Sequence, residues 1–189
     1  MDTKNILIVG VGGQGTLLTS RILGNIALNK GYDVKLSEVH GMSQRGGSVV
    51  THVRYGEKVY SPLVEIGKAD IILSFEKLEA LRWVHFLKKD GIMIVNAQEI
   101  DPMPVITGAA NYPDDIEEQL NVLCDKVTFI DSLNQARELG NFRVANTILL
   151  GELYNHLEFS IEEWEEAIKG TVPAKTIELN TKAFKLNIK

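Results

Sequence analysis

The chain has 189 residues, enough for one domain with a sizeable buried core. Hydrophobic residues make up 44% and charged residues 24%, and 20 basic against 25 acidic side chains leave a net charge of −5, which argues against a nucleic-acid-binding protein. One cysteine, Cys124, excludes an internal disulfide, a cysteine-ligated zinc site and a four-thiolate iron–sulfur cluster held by this chain alone. No apolar run reaches the ~20 residues of a membrane span. Residues 1–5 lack the charged and apolar regions of a signal peptide, so the expectation is a soluble, cytoplasmic protein with no membrane partner.

Residues 5–9, Asn-Ile-Leu-Ile-Val, form a continuous apolar run ending at Gly10, the pattern of a strand covered on both faces. Leu18, Ile22 and Ile26 then recur at helical spacing, widened by Leu17 and Leu23, until Gly31 stops the helix after Lys30. Val34-Lys35-Leu36 is a second strand, so the opening segment reads as a βαβ unit. From 48 to 55 the pattern alternates, with Val49, Thr51, Val53 and Tyr55 on one face and Val50, His52 and Arg54 on the other. That alternation suits an antiparallel strand in a mixed sheet. Gly56-Glu57 reads as a hairpin turn into a strand at Val59-Tyr60, ended by Pro62.

Residues 71–75 and 92–95 are further buried strands, and a helix from Glu76 to Leu87 between them is closed by Lys88, Lys89 and Gly91. The stretch 96–113 is loop-rich, with Pro102, Pro104, Gly108 and Pro113. A helix capped by Asp114 or Asp115 runs to about Cys124, and residues 127–130 are another strand. The remainder is largely helical, and Ser160 and Glu163 have the spacing of a capping box before a helix over 161–169. There is no repeat, linker or low-complexity segment. These elements predict a single domain over residues 1–189, with a three-layer α/β/α, Rossmann-like fold around a mostly parallel, mixed sheet.

Two glycine-rich loops carry the chemical signal. Gly10-Val11-Gly12-Gly13-Gln14-Gly15 matches the dinucleotide fingerprint between a strand and a helix. Glycines allow the tight turn and bring backbone amides up to an anion, which the helix dipole then favours. Glu38, near the end of the second strand, stands where a ribose-binding carboxylate would sit. The alternative is that the glycines only make a close strand–helix turn. The second loop, Glu38-Val39-His40-Gly41-Met42-Ser43-Gln44-Arg45-Gly46-Gly47-Ser48, brings the planar, permanently charged fork of Arg45, two glycines able to form an anion-binding nest, and the hydroxyls of Ser43 and Ser48. Its alternative is a packed loop in which Arg45 satisfies carbonyl oxygens. Both loops are expected at the carboxyl ends of neighbouring strands, where open α/β sheets bind ligands.

Other candidates carry less. His40, His52, His85 and His156 have no ligand-like spacing, Cys124 reads as a core thiol, and Glu162, Glu163, Glu165 and Glu166 read as a solvated helix face. Trp83 and Phe86 read as core or as an apolar patch through which the isolated chain could self-associate. No nucleophile–base–acid set is present, so no catalytic residue and no metal ligand is assigned.

The two loops together resemble the gamma-type domain of 2-oxoacid:ferredoxin oxidoreductases. The full His-Gly-Met-Ser-Gln-Arg-Gly-Gly form of the second loop favours the beta subunit of the indolepyruvate branch over the pyruvate, 2-oxoisovalerate and 2-oxoglutarate branches. The resemblance continues through Ser74-Phe75-Glu76, Glu79-Ala80, Arg82, Asn146, Leu149-Leu150-Gly151, Glu178, Asn180 and Ala183-Phe184. It implies a small subunit that assists coenzyme A-dependent oxidative decarboxylation of an arylpyruvate, with electrons passed to ferredoxin. It further implies that thiamine diphosphate, magnesium and [4Fe-4S] clusters belong to a large alpha subunit, that ferredoxin is met through that partner, and that the isolated chain is inactive. Under it, Gly10, Gly12, Gly13, Gln14, Gly15, Glu38, His40, Gly41, Ser43, Arg45, Gly46 and Gly47 contact coenzyme A, another phosphorylated ligand or the partner. A stand-alone NAD-binding protein is the competing reading, weakened because sheet and helices leave no substrate domain and no acid–base group.

Overall fold

A computed structural model describes residues 2–40 and 46–189. The chain runs β1 (Lys4–Val11), α1 (Thr16–Asn29), β2 (Asp33–His40), β3 (Ser48–Gly56), β4 (Ala69–Ser74), α2 (Lys77–Trp83), β5 (Leu87–Asn96), α3 (Met103–Ile106), α4 (Ile116–Leu123), β6 (Val127–Ile130), α5 (Ser132–Glu138), α6 (Ala145–Tyr154), α7 (Ile161–Thr171) and α8 (Ile177–Lys185). The six strands form one sheet in the order β2-β3-β1-β4-β5-β6. β1, β4, β5 and β6 are parallel neighbours, while β3 is antiparallel to both β1 and β2. The α/β class and the mixed sheet are as the pattern predicts.

Alternation along the central strands divides the core between two faces. Ile6, Ile8, Val53, Tyr55, Ile71 and Leu73 pack with α1 and α5 to α8, where Trp164 is fully buried and stacks on Phe184 at 5.5 Å between ring centroids. Leu7, Val9, Val50, Ile72, Met93 and Val95 face α2 and α4, with Ala80, Ile116, Leu120 and the buried thiol of Cys124. Burial pushes that thiol's pKa up, as befits a core cysteine. Ser160 and Glu163 make both hydrogen bonds of the capping box, and Glu163 also meets Lys30 at 2.6 Å, tying α7 to the end of α1. No described helix is long and apolar enough to cross a membrane.

The folded chain departs from the sequence pattern in six places. β1 and β2 are not neighbours, because β3 returns between them, so the opening βαβ unit straddles an inserted antiparallel strand. Val59-Tyr60 is not a strand: Asp33 captures the Val59 N–H with its carboxylate at 2.9 Å, and Tyr60 is 90% exposed. The helix after Glu76 ends at Trp83, and after a 3₁₀ turn over Val84–Phe86 the chain is already in β5, which takes in Lys88, Lys89 and Gly91. There Lys88 pairs with Asp70 on β4. Cys124 lies just past α4 with extended backbone rather than on the helix. Trp83 and Phe86 are half-buried against the second core, their rings 5.2 Å apart, and so form no exposed patch of their own. Leu17, predicted to widen the apolar stripe of α1, is instead 44% exposed.

Candidate functional site

The two glycine loops do meet, through the inserted strand. Because Val11 pairs with Ser48, the end of β1 delivers Gly12 beside the start of β3. The Gly12 N–H donates to the Gly47 carbonyl at 2.8 Å and the Gly46 N–H to the Gly12 carbonyl at 3.4 Å. Both Gly13 and Gly15 have positive φ, 104° and 88°, which side-chain-bearing residues rarely adopt. At Gly10 the requirement is space: a Cβ there would lie 2.9 Å from Gln14 Oε1 and 3.0 Å from Phe75 Cβ. His40 ends β2; Gly41, Ser43 and Arg45 lie outside the described residues.

Gln14 holds the first loop in place. Its Oε1 accepts the Val11 N–H at 2.7 Å, and its Nε2 donates to the Phe75 carbonyl at 2.9 Å and to Gln98 Oε1 at 3.1 Å. The side chain counted among the ligand contacts thus joins the loop to the ends of β4 and β5. The Ser48 hydroxyl, expected to serve an anion, instead donates to Glu79, which also accepts from Arg82 at 2.7 Å. Glu76 caps α2 by accepting the Glu79 N–H at 2.8 Å, and it also takes the Ile100 N–H and the Tyr112 hydroxyl. Burial holds the Glu76 carboxyl above its ordinary pKa against those hydrogen bonds, while burial first, and then the Glu76 contact, push the Tyr112 hydroxyl far up. The Ser74–Glu79 motif is therefore the buried frame beneath the loops.

A groove opens on each side of the first loop. On the β2–β3 side, Glu38, Leu17, Thr16 and Val49 line about 360 Å³ with Gly12, Gly13 and Gly15. On the β4–β5 side, a cleft of about 440 Å³ runs from Gly13 and Gly15 to Gln98, Phe142, Arg143 and Asn146. Gln98 and Arg143 gave no signal in the sequence, and Asn146 was marked only by the resemblance. Among the described residues, no group of three or more His, Cys, Asp or Glu side chains could hold a metal.

Residues 5–189 match the pyruvate ferredoxin/flavodoxin oxidoreductase family. The chain belongs to that family. It is 45% identical to the indolepyruvate oxidoreductase subunit IorB of Thermococcus kodakarensis, with 100% of this chain and 96% of that protein covered. The IorB subunit of Pyrococcus horikoshii is equally similar, at 45% over 100% of this chain and 96% of its own. Identity falls to 31%, over 96% of this chain and 92% of the relative, for the 2-oxoglutarate synthase subunit KorC of Methanothermobacter marburgensis. A keto/oxoacid ferredoxin oxidoreductase gamma subunit from Geobacter sulfurreducens has the same fold, with TM-score 0.72, 24% identity, and 97% and 95% of the two chains covered. The same fold occupies 30% of a longer chain in a 2-oxoglutarate:ferredoxin oxidoreductase from Magnetococcus marinus, with TM-score 0.75, 18% identity and 99% of this chain covered.

Proposed function

We propose that the chain is the small subunit of a cytoplasmic, heteromeric indolepyruvate:ferredoxin oxidoreductase, working throughout its length as one gamma-type domain. The observation that carries this reading is the end-to-end 45% identity to IorB subunits, against 31% for the 2-oxoglutarate relative. In this reading the reaction is coenzyme A-dependent oxidative decarboxylation of an arylpyruvate. Thiamine diphosphate with magnesium, and the [4Fe-4S] clusters, belong to a large alpha subunit through which ferredoxin is reached. This chain's residues do not fit an iron–sulfur cluster, because its one thiol is buried and no cluster of metal-ligating side chains forms among the described residues.

What the chain supplies is a shaped edge. The two glycine loops, fastened to each other by backbone hydrogen bonds and to the sheet by Gln14, cover the partner's reacting centre and help enclose coenzyme A. Arg45 contributes a charged fork to that edge. The NAD-binding alternative is disfavoured by the inserted β3, which sets Glu38 one strand further from β1 than a ribose-binding carboxylate stands in the dinucleotide fold. The test is reconstitution with the large subunit, comparing indolepyruvate, phenylpyruvate, pyruvate and 2-oxoglutarate in coenzyme A-dependent ferredoxin reduction. Preference for the arylpyruvates is expected; a preference for pyruvate or 2-oxoglutarate moves the chain to another branch, and failure to co-purify with any such partner overturns the reading.

A further inference from the structure

The sheet ends on one long, unguarded strand. β2 has eight residues, pairs with β3 on one side, and has no neighbouring strand on the other among the described residues. β6, at the opposite edge, has only four. Soluble proteins keep such edges from pairing with other chains by means of proline, bulges or free lysines. β2 contains no proline and stays in unbroken register with β3 from Asp33 to His40, and its one lysine, Lys35, is held by Asp33 at 2.5 Å. Along it Leu36 and Val39 are 43% and 50% exposed.

The helix beside this edge is apolar on its outer face. Leu17 and Leu28, both exposed, lie about three turns apart on one face of α1, with Gly24 between them. Leu36 takes the space that a side chain on Gly24 would need: a Cβ there would lie 3.2 Å from Leu36 Cδ1. By alternation Val34, Leu36 and Glu38 share the α1 side of the strand, and Asp33, Lys35, Ser37 and Val39 share the other. A stripe of Leu17, Leu36 and Leu28 therefore flanks an open row of backbone N–H and C=O groups.

We propose that the chain forms a two-fold dimer in which β2 pairs antiparallel with β2 of a second copy, Leu36 on the axis, joining two six-stranded sheets into one. A two-fold axis normal to the sheet reverses the strand but leaves α1 on the same side, so residues meet only residues of their own face and one residue lies on the axis. With Lys35 on the axis two lysines oppose each other, and with Ser37 there Leu36 opposes the Glu38 carboxylate. With Leu36 there, leucine meets leucine, Lys35 meets Ser37, and no like charges stand opposite. The same axis brings Leu17 of one copy toward Leu28 of the other, so the stripe is complementary to itself. The two glycine-loop edges then point to opposite ends of the joined sheet, each open to a large subunit of its own.

The test is sedimentation velocity of the full chain alone, together with cysteine cross-linking. A dimer is expected at about 100 µM, dissociating on dilution, with association weakened about tenfold in Leu28→Lys and at least about a hundredfold in Leu36→Asp. Circular-dichroism melts check that both variants keep the fold. Oxidation of Leu36→Cys should give a reducible dimer, because residues facing each other across an antiparallel ladder stand ~4.5–5.5 Å apart at Cα, within disulfide reach. Val39→Cys should not cross-link, since in this register its two copies lie about 20 Å apart along the ladder, and the native Cys124 is buried. A chain that stays monomeric at about 100 µM, a dimer that both folded variants leave intact, or cross-linking of Val39→Cys in place of Leu36→Cys overturns the proposal. So does a monomeric wild type whose Leu36→Asp variant fails to bind the large subunit, because the edge then belongs to that partner.

Discussion

Gly151 and Gly170 both sit inside helices of this protein, and the same substitution to alanine is expected to move stability in opposite directions. A Cβ on Gly151 in α6 would stand 2.1 Å from the Phe184 carbonyl oxygen of α8. The obstacle is backbone, so no rotamer change relieves it, and the two helices must part by about 1 Å to restore ordinary contact. That parting loosens Phe184 and Leu150, both essentially buried, where even sub-ångström gaps forfeit a quarter to a half of the dispersion attraction. Overpacking of this kind costs roughly 1–3 kcal/mol and occasionally more, against a helix-propensity gain of at most about 1 kcal/mol. We expect Gly151→Ala to lose about 2 kcal/mol, or a Tm fall of roughly 4–8 °C for a chain of this size. Gly170, near the end of α7, has open space where a Cβ would stand, with no neighbouring atom within 4 Å, so Gly170→Ala is expected to gain about 0.5 kcal/mol. Urea unfolding followed by circular dichroism, with m held common, measures both. A Gly151→Ala protein as stable as the wild type would refute the reasoning, since it would mean the helices are not in backbone contact there.

Three further outcomes are expected. His52 is buried and its Nδ1 accepts the Val64 N–H at 3.1 Å; burial first, then the Arg54 charge, hold its pKa below the ordinary 6.5. The unfolded chain therefore takes up the proton first, so His52's contribution is complete above pH ~6.5 and is lost as pH falls below that value and through the folded pKa; the decline in urea midpoint on acidification should be shallower in His52→Gln. Ser160→Ala removes the hydroxyl that accepts the Glu163 N–H and should cost about 1 kcal/mol by the same unfolding assay, whereas no loss would mean the capping box is redundant. In the reconstituted complex, Arg45→Ala should lower turnover by a factor of ~10–100 and Arg45→Lys by less; full activity with unchanged apparent affinity for coenzyme A would show that the charge there only satisfies carbonyls.

Much of the fold was legible in the sequence because its cues are local. Continuous apolarity at residues 5–9, strict alternation at 48–55 and the Ser160/Glu163 box each depend on neighbours within a few residues, and each reappears in β1, β3 and α7. The glycine spacing likewise announced a turn that only glycine fits, and Gly13 and Gly15 have the required positive φ. Strand order was not local: hydrophobic pattern gives a strand's faces but not its neighbour, and only tertiary pairing inserted β3 between β1 and β2. The cleft was less legible still. Gln98, Arg143 and Asn146 come from just past the end of β5, a 3₁₀ turn and the start of α6, and no spacing rule connects them. Nor does an amide side chain reveal in sequence whether it is already taken by the chain itself. That is decided by which backbone groups face it, and the Val11 N–H and Phe75 carbonyl that hold Gln14 were placed by the folded chain alone.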